Sequence, residues 1–383
     1  ALSRRDCLAL SPAAALMGCA PRSPAPSSSP GWDPYSLHGL ARAKGLGFGS
    51  SLGGSGDERS NSFNDQNVRA IMAKECGILV AENEMKWAAL RPDAATFDFA
   101  AADALVDFAE TCGMQMRGHT LLWMDPQWFP RWLADYDFGN RPASEAERLL
   151  RSHIKTVCAH YGERIFSYDV INEAIEPKTG AIRDNALARH LGDDAIDIAF
   201  DAAREAAPHA ELVYNDFMSW GPGNAAHRDG VLRLLERITS AGAPVNALGV
   251  QAHIGPGASD TTPEISSDDE REWRGFLDGA AGVGLDIVIT ELDVGDQHLP
   301  GDIEARDEAV AALTRNYLDI MFSYPQTKYV MAWGMVDKYS WLRERWPRED
   351  GLPKRPSPYD DEYQAKPLRD AIADAFRAAP ARA

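Results

Sequence analysis

The chain is poor in cysteine, with only five in 383 residues. Cys7 and Cys19 fall in the amino-terminal stretch, which leaves Cys76, Cys112 and Cys158 for the remainder of the chain. Three is an odd number, and the spacing between these residues matches no pattern of metal-binding cysteines. Because all three lie in apolar segments of helical pattern, we expect buried free thiols and no metal held by cysteine.

Positive charge is also scarce. The chain has 39 Lys and Arg against 57 Asp and Glu, for a formal net charge of -18. This balance repels phosphate backbones and anionic lipid, so nucleic acid and acidic membrane surfaces are poor candidate partners. A neutral substrate fits better. Ten Trp, eleven Tyr and thirteen Phe supply flat apolar faces, which suit sugar rings as well as a protein core.

The sequence shows no internal repeat and no second linker rich in glycine or proline after Pro30. One α/β barrel with its loops takes roughly 250 residues and up to more than 400, so a single large domain accounts for the length. We expect this domain to span residues 32–379, with no appended binding module.

The first 19 residues have the features of an export signal. Arg4 and Arg5 precede a modest apolar run, as in bacterial twin-arginine signals, and the run is too short to span a membrane. Residues 16–19 (LMGC) resemble a lipobox, which leaves a lipid anchor on Cys19 open. Residues 20–31 are mostly Pro, Ser and Ala, a composition typical of a tether. We therefore expect an exported protein that is periplasmic, anchored to the outer membrane or secreted.

Eight short β-rich apolar runs alternate with amphipathic stretches along the chain. This alternation is typical of a parallel sheet covered by helices, and eight units predict a single (β/α)8 TIM barrel of the α/β class. The predicted strands are residues 45–52, 77–84, 115–123, 166–173, 210–217, 247–254, 286–294 and 329–337. The helical segments between them include residues 67–76, 101–112, 145–161, 193–207, 230–241, 270–283 and 303–323.

Reactive polar or aromatic residues end the predicted strands. In a barrel, side chains at the carboxyl ends of the strands converge on the face that carries the active site. A lone glutamate in such a place is usually a solvated or capping carboxylate, but strands that all end this way favour an active site. The residues are Glu82, His119, Trp123, Asn172, Glu173, Asn215, Gln251, His253, Glu291 and Trp333.

Two of these residues are predicted to face each other across the barrel mouth: Glu173 in DVINE and Glu291 in ITELD. Cleavage of a glycosidic bond needs one protonated carboxyl group for the leaving oxygen and one carboxylate for the oxocarbenium-like carbon. If Glu291 ionises first, its charge raises the pKa of Glu173, which then serves as the acid.

Further polar residues have both a functional and a structural interpretation. Asp293 and His253 can form a hydrogen-bonded relay that orients Glu291, whereas a histidine considered alone is more often a satisfied core residue. Asn172 can hydrogen-bond the 2-hydroxyl of the sugar being cleaved, or it can cap the next helix.

Lys86 offers three donors to neutral hydroxyls, and the structural alternative is a buried ion pair with Glu82 or Glu84. Both roles are compatible. Apolar walls for sugar faces are expected from three tryptophans, Trp123, Trp333 and Trp341.

In these motifs the chain closely resembles glycoside hydrolase family 10, a family of retaining endo-β-1,4-xylanases on a (β/α)8 barrel. The resemblance spans about residues 47–368. Each motif alone is weak, but seven in order on the expected strands are specific. They are ENEMKW at 82–87, RGHTLLW at 117–123, DVINEA at 169–174, YND at 214–216, QAH at 251–253, ITELD at 289–293 and WG at 333–334 followed by Trp341.

The resemblance implies that xylan and xylooligosaccharides are the substrates, that Glu173 is the acid/base and that Glu291 is the nucleophile. It implies no metal and no organic cofactor, and we expect a monomer. It also implies a glycone side of the cleft lined by Glu82, Asn83, Lys86, His119, Trp123, Gln251, His253, Trp333 and Trp341.

The sequence departs from the family pattern at three places. The family's usual Trp-His-Ser-Gln is WMDP at 123–126, which puts hydrogen bonding at the second glycone subsite in doubt, with Gln127 or Trp128 as candidates to compensate. Phe217 stands where the family commonly has tyrosine, so contacts on the leaving-group side are expected to weaken. The long charged loop 343–358 could restrict the cleft or contact side groups of the substrate, such as glucuronic acid.

Two other functions stay open. A glycosidase of the same fold acting on β-glucan or mannan would use the same carboxylate pair, although the surroundings of Lys86 and Trp341 favour xylan. A catalytically silent protein could bind polysaccharide in the same cleft, but the presence of both glutamates argues against it. A purely structural lipoprotein leaves the strand-end residues unexplained.

Overall fold

The computed structural model describes residues 31–54, 61–255 and 265–382. The predicted export signal, the lipobox and the tether up to Pro30 lie outside the described residues. Within the described part, no helix combines the length and the apolar character needed to cross a membrane.

Parallel strands close into a barrel, which confirms the predicted (β/α)8 fold. The strands are β1 (Gly47–Leu52), β2 (Ile78–Ala81), β3 (Gln115–Trp123), β4 (Ile165–Asn172), β5 (Glu211–Asp216), β6 (Ala247–Val250), β7 (His253–Ile254), β8 (Asp286–Val294) and β9 (Thr327–Ala332). From β1 to β6 each strand pairs with the next, and the pairs β6–β8, β8–β9 and β1–β9 close the ring, while short β7 pairs with β8 at the mouth.

Helices occupy all seven predicted helical segments. The helices are α1 (Leu37–Arg42), α2 (Gln66–Glu75), α3 (Trp87–Leu90), α4 (Ala100–Thr111), α5 (Arg131–Ala134), α6 (Pro142–Tyr161), α7 (Ala188–Leu191), α8 (Asp194–Ala206), α9 (Ala225–Ser240), α10 (Ser267–Gly282), α11 (Ile303–Phe322) and α12 (Pro367–Ala378). The largest difference among the predicted segments is at α9, which begins at Ala225 instead of residue 230. The helices α1, α3, α5, α7 and α12 lie outside the predicted segments.

Side-chain caps define where several helices begin. Asp65, Ser266 and Asp302 precede α2, α10 and α11, and each accepts a backbone N–H of the first turn. Such caps satisfy amide groups that have no partner within the helix. The buried faces of the longer helices pack on the barrel, where they form the larger of two apolar cores.

The barrel interior holds a smaller apolar core and, beside it, a buried ion pair. Arg117 on β3 contacts Asp169 on β4, with 2.5 Å between Nη2 and Oδ1, and its Nε donates to the hydroxyl of Tyr329 at 3.0 Å. Asp169 also contacts Nδ1 of His119 at 2.9 Å. Because a buried charge is costly unless it is paired and hydrogen-bonded, this network holds the His119 ring in place below the mouth.

The three cysteines of the described chain are buried thiols that form no disulfide, as the sequence predicts. Burial raises the pKa of the Cys158 thiol to about 12, which keeps it protonated and unreactive at neutral pH.

The predicted strand 247–254 is divided into β6 and β7 at Ala252, which has φ 63°. Two other strands end at least three residues earlier than predicted. β2 ends at Ala81, because the next residues turn around Glu84, whose carboxylate accepts the backbone N–H groups of Gly54 at 2.7 Å and Asn83 at 3.0 Å. β9 ends at Ala332, since Gly334 has φ 95° and leaves the extended conformation. Both turns bring polar and aromatic side chains over the mouth.

Candidate active site

Glu173 lies directly after β4 and faces the barrel mouth, with 8% of its surface exposed. Its backbone has φ 55°, a left-handed conformation that is uncommon for a residue with a side chain. The backbone N–H of Glu173 donates to the carbonyl of Asn215 at 2.8 Å, which holds the turn against β5. Strain of this kind persists only where the surroundings hold it, and it clusters at active sites.

Glu291 lies on β8 and is also almost fully buried, at 5% exposure. Its Oε2 lies 3.2 Å from Nε2 of His253, and Nδ1 of the same ring lies 2.8 Å from Oδ1 of Asp293. The indole N–H of Trp341 donates to the other oxygen of Asp293 at 2.7 Å. The predicted relay between His253 and Asp293 is therefore present in the structure, and it is anchored at its far end by Trp341.

His253 has a raised pKa. Burial alone would lower it, but the negative charges of Asp293 and Glu291, and the hydrogen bonds to them, raise the pKa of His253 from 6.5 to about 10. At neutral pH both ring nitrogens therefore carry protons and donate to carboxylates. The imidazolium compensates part of the negative charge concentrated at the mouth.

Amide side chains connect the two glutamates. Nδ2 of Asn215 donates to Oε1 of Glu291 at 2.8 Å and to Oδ1 of Asn172 at 2.8 Å. Nε2 of Gln251 donates to the same Asn172 oxygen at 3.3 Å and to Oε1 of Glu173 at 3.0 Å. The register of the sheet aligns Asn172 with Asn215, which places these amides side by side. Each carboxyl group is thus held by an amide that is itself fixed.

The two glutamates have pKa values that shift in opposite directions. Burial raises the pKa of Glu173, and the negative charge of Asp216 adds to this shift, while Gln251 opposes it. Burial would also raise the pKa of Glu291, but the hydrogen bond from His253 and the charges of the neighbouring histidines lower it overall. One carboxyl group therefore favours its protonated form and the other its ionised form.

Asp216 is a part of the site to which the sequence analysis gave no role. It is fully buried at the end of β5, where it accepts from the Tyr214 hydroxyl at 2.5 Å and lies 2.9 Å from Nε2 of His227. The charge of Asp216 raises the pKa of Glu173 more than the charge of Glu291 does, whereas the sequence predicted Glu291 as the cause. In the sequence, the feature that could have indicated this role is its position directly after Asn215, at the end of a predicted strand.

Lys86 and two tryptophans form one wall of the cleft. Nζ of Lys86 donates to Oδ1 of Asn83 at 2.7 Å and lies 4.8 Å from the ring centre of Trp123. Trp128 stacks on Trp123, with ring centres 4.9 Å apart and planes 22° apart. Burial lowers the pKa of Lys86, while the charge of Glu82 opposes this shift most strongly.

The other predicted tryptophans, Trp333 and Trp341, form a second wall. The ring of Trp333 lies edge-on to His119 at 5.5 Å, and Trp341 lies edge-on to His253 at 5.0 Å. Glu82 and both tryptophans line one pocket. All the residues expected at the site therefore meet at one end of the barrel. Within the described chain, no group of three His, Cys, Asp or Glu is arranged to hold a metal.

A model of one known protein family matches most of the chain: glycosyl hydrolase family 10, over residues 36–375. The chain belongs to this family. It is 33% identical over 295 residues to endo-1,4-beta-xylanase B of Paenibacillus barcinonensis, which covers 72% of this chain and 84% of that protein. It is 30% identical over 344 residues to endo-1,4-beta-xylanase 1 of Humicola insolens, with 88% and 73% covered.

The fold agrees with solved structures of the same family. Xylanase 10B from Thermotoga petrophila RKU-1, in complex with xylobiose, superposes with a TM-score of 0.77 at 29% identity, covering 89% of this chain and 97% of that chain. The protein is accordingly a glycoside hydrolase of family 10 with a (β/α)8 barrel.

The departure at 123–126 changes the wall of this family 10 cleft. Met124 is fully buried, and its carbonyl accepts from Asn185 at 3.1 Å, so its side chain faces the protein interior. Gln127 is exposed, and its amide donates to Asp125 at 2.9 Å. Of the two residues that could compensate, only Trp128 contacts the wall, where it widens the aromatic surface of Trp123.

Phe217, which stands where the family commonly has tyrosine, packs against its neighbours through both its ring and its backbone. The Phe217 ring lies edge-on to His227 at 4.8 Å, and its N–H donates to Asp216 at 2.8 Å. The ring therefore packs over the pair formed by His227 and Asp216, and the hydroxyl expected from the family is absent from this side of the family 10 cleft.

Proposed function

We propose that this chain is a retaining endo-1,4-β-xylanase that hydrolyses β-1,4-xylosidic bonds of xylan by double displacement. The observation that carries the proposal is the pair of buried carboxyl groups, Glu173 and Glu291, that a chain of amide hydrogen bonds connects at the barrel mouth. Their surroundings raise the pKa of Glu173 and lower that of Glu291. The two xylanases named above, and the xylobiose complex of a related barrel, support xylan as the substrate.

In the first step, the Glu291 carboxylate attacks the anomeric carbon while Glu173 transfers its proton to the leaving oxygen. The glycosidic bond breaks and a covalent glycosyl-enzyme forms. In the second step, Glu173, now ionised, takes a proton from water as that water attacks the same carbon and releases Glu291. Two inversions at one carbon retain the β configuration.

The surrounding groups orient this pair. His253, held by Asp293, keeps Glu291 ionised, and Asn215 fixes its second oxygen. Asn172 has its amide oxygen occupied by two donors, which directs its Nδ2 toward Glu173 at 3.4 Å. In the proposed complex, the second N–H of this amide donates to the sugar 2-hydroxyl. Hydrogen bonds to that hydroxyl strengthen in the transition state.

The glycone side of the substrate lies, in this proposal, between the two aromatic walls. Lys86 and Asn83 donate and accept at neutral hydroxyls, and the tryptophans contact the sugar faces. The residues given this role are Glu82, Asn83, Lys86, His119, Trp123, Gln251, His253, Trp333 and Trp341.

The test uses products and two variants. Purified protein is incubated with glucuronoxylan, linear xylooligosaccharides and carboxymethylcellulose, and NMR identifies the anomer formed at early times. We expect short β-anomeric xylooligosaccharides. Cleavage of the cellulose derivative alone would support a β-glucanase instead, and binding without turnover would support a silent binding protein.

The variants separate the roles of the glutamates. Glu291→Ala should abolish turnover of every substrate. Glu173→Ala should lose roughly 10²- to 10⁴-fold on xylan, the typical contribution of a general acid, but it should cleave aryl xylosides with good leaving groups, which need no proton. Equal losses on xylan and on these aryl substrates would contradict the assignment.

We also propose that the protein is exported, on the basis of Arg4, Arg5 and the lipobox-like residues 16–19. We further propose that it is a monomer. Cys19→Ser should move the protein from the detergent phase to the aqueous phase in a Triton X-114 partition if Cys19 carries a lipid. A wild-type protein found in the aqueous phase would contradict lipidation while leaving secretion to be tested by cell fractionation.

A further inference from the structure

The loop 343–355, which follows Trp341, carries an exposed tryptophan and an exposed arginine at the rim of the cleft. The ring of Trp346 is 57% exposed and lies 5.9 Å from Trp341, with the planes at 64°. The guanidinium carbon of Arg345 lies 5.6 Å from the ring centre of Trp341 and 5.1 Å from that of Trp346. A cation and an aromatic face are therefore presented next to the glycone side.

The other cations of this loop face inward and hold it in one conformation. Arg343 pairs through two nitrogens with Asp361, at 2.7 and 3.0 Å. Arg348, 6% exposed, donates to the carbonyls of Asp296 and Leu299. These bonds anchor the loop to the body of the barrel.

Two further cations complete the anchoring. The ammonium group of Lys354, 1% exposed, donates to the carbonyl of Arg345 at 3.0 Å, directly beneath the exposed pair. Arg355 pairs with Asp307 through two nitrogens, at 2.9 and 2.7 Å. The backbone that carries Arg345 and Trp346 is thus fixed before any ligand binds.

Arg345 differs from these four cations. Among the described residues, no carboxylate pairs with its guanidinium, whose contacts are with the two indole rings. A guanidinium can contact an aromatic face and still donate through its edge. Arg345 is therefore a cation at the cleft rim that no described carboxylate neutralises.

The backbone at Trp346 is strained in a way that presents the ring. Its φ is 56°, the left-handed region, which is a rare conformation for a bulky aromatic residue. Such strain is kept where the surroundings hold it, and it is often found at ligand sites. The inward cations anchor the loop on both sides of Trp346, whose large apolar ring is exposed to solvent.

We propose that Arg345 and Trp346 bind a uronic-acid substituent on the xylan chain, with the carboxylate on the guanidinium and the sugar ring on the indole. This inference rests on the proposed xylanase function. The floor of the cleft is rich in carboxylates, including Glu82, Glu291 and Asp293, which repel an acidic group. An acidic substituent is therefore accepted at the rim, where Arg345 attracts it, and not beside the reacting sugar.

The test compares two substrates that differ only in charge: a xylooligosaccharide with a glucuronic acid side group, and the same compound after its carboxyl group is reduced to the alcohol. Wild-type kcat/KM should be about two- to fivefold higher for the acid, the range expected of an exposed charge pair. The preference should fall as ionic strength rises, because salt screens exposed charges.

Variants assign this preference to the loop. Arg345→Gln should bring the ratio of the two kcat/KM values to about one, and Arg345→Lys should restore part of it. Trp346→Ala should lower kcat/KM for both branched substrates. The matched control is Arg377→Gln, an exposed arginine of α12, which should keep the wild-type ratio.

A wild-type ratio of one, or a ratio that survives in Arg345→Gln, would overturn the inference. Linear xylooligosaccharides, assayed in parallel, separate this failure from failure of the proposed function. If linear substrate is cleaved and the two branched substrates have equal kcat/KM, only the uronic-acid site is contradicted. If neither linear nor branched xylan is cleaved, the xylanase proposal itself is contradicted.

Discussion

Replacement of His253 by glutamine removes the only positive charge that contacts Glu291 directly among the described residues, while it keeps a side-chain donor. The raised pKa of His253, about 10 against an ordinary 6.5, means that folding favours its charged form. A difference of that size corresponds to about 5 kcal/mol of unfolding free energy. The charge of His253 should therefore contribute a large part of the free energy that stabilises the barrel mouth.

The sign of the pH dependence follows from the direction of the shift. Because the folded pKa lies above the unfolded one, the contribution is complete below about pH 6.5 and is lost as the pH rises through about 10. At pH 8 about 3 kcal/mol should remain. The gap in stability between wild type and His253→Gln should be widest in mild acid and should narrow toward pH 10.

Urea denaturation at pH 6, 8 and 10 measures this gap, and the titration of groups that His253 does not contact cancels because both proteins share them. His209→Gln is the control, since His209 contacts the carbonyl of Ile165 at the opposite end of the barrel. A gap for His253→Gln that stays constant from pH 6 to pH 10 would refute a charged His253. The lost packing of the ring contributes equally at every pH and does not mimic the expected trend.

Activity gives a second measurement on the same variant. The hydrogen bond from His253 is the main influence that lowers the pKa of Glu291. In His253→Gln the pKa of Glu291 should rise, so the acid limb of the kcat/KM profile should move to higher pH. An acid limb that does not move would mean that another group sets the ionisation of the nucleophile.

Three further predictions concern neighbouring residues. Asp216→Asn removes a charge that raises the pKa of Glu173, so the basic limb of kcat/KM should move to lower pH, and an unchanged limb would contradict this role. Asn215→Ala leaves buried partners unsatisfied and should cost about 1–3 kcal/mol in urea denaturation, with a lower kcat from a less ordered Glu291. Trp128→Ala should raise KM a few-fold for long xylooligosaccharides with little change in kcat, as expected for a stacking contact of about 0.5–1.5 kcal/mol; equal effects on xylobiose would contradict it.

The fold could be predicted from the sequence because the same pattern, a β-rich run followed by a helical segment, occurs many times along the chain. Eight β-rich runs and the helical segments between them each carry independent periodicity, so an error of a few residues in one element leaves the barrel intact. The strand ends were less predictable. β2 stops at Ala81 because the carboxylate of Glu84 binds two backbone N–H groups, a contact that residue order does not reveal.

The relay at the site was also predictable in part. His253 and Asp293 stand on paired strand ends, and the sheet register brings them opposite each other. It was not predictable which charge raises the pKa of Glu173 most, since this depends on how Asp216 is buried against Tyr214 and His227. These partners are two and eleven residues from Asp216 along the chain, and only the β5–α9 packing brings them together.

The change after Trp123 illustrates how a motif can differ while the wall it forms is kept. The sequence loses the usual polar residues there, which predicted weaker hydrogen bonding. In the structure, Met124 turns into the core, and Trp128 takes a place beside Trp123 that extends the aromatic face. Lys86 lies within 5.9 Å of the Trp128 ring centre as well, so the lysine contacts both rings. Because stacking tolerates many sugar orientations whereas a hydrogen bond selects one, this wall should bind longer chains with less dependence on hydroxyl pattern than the usual motif would.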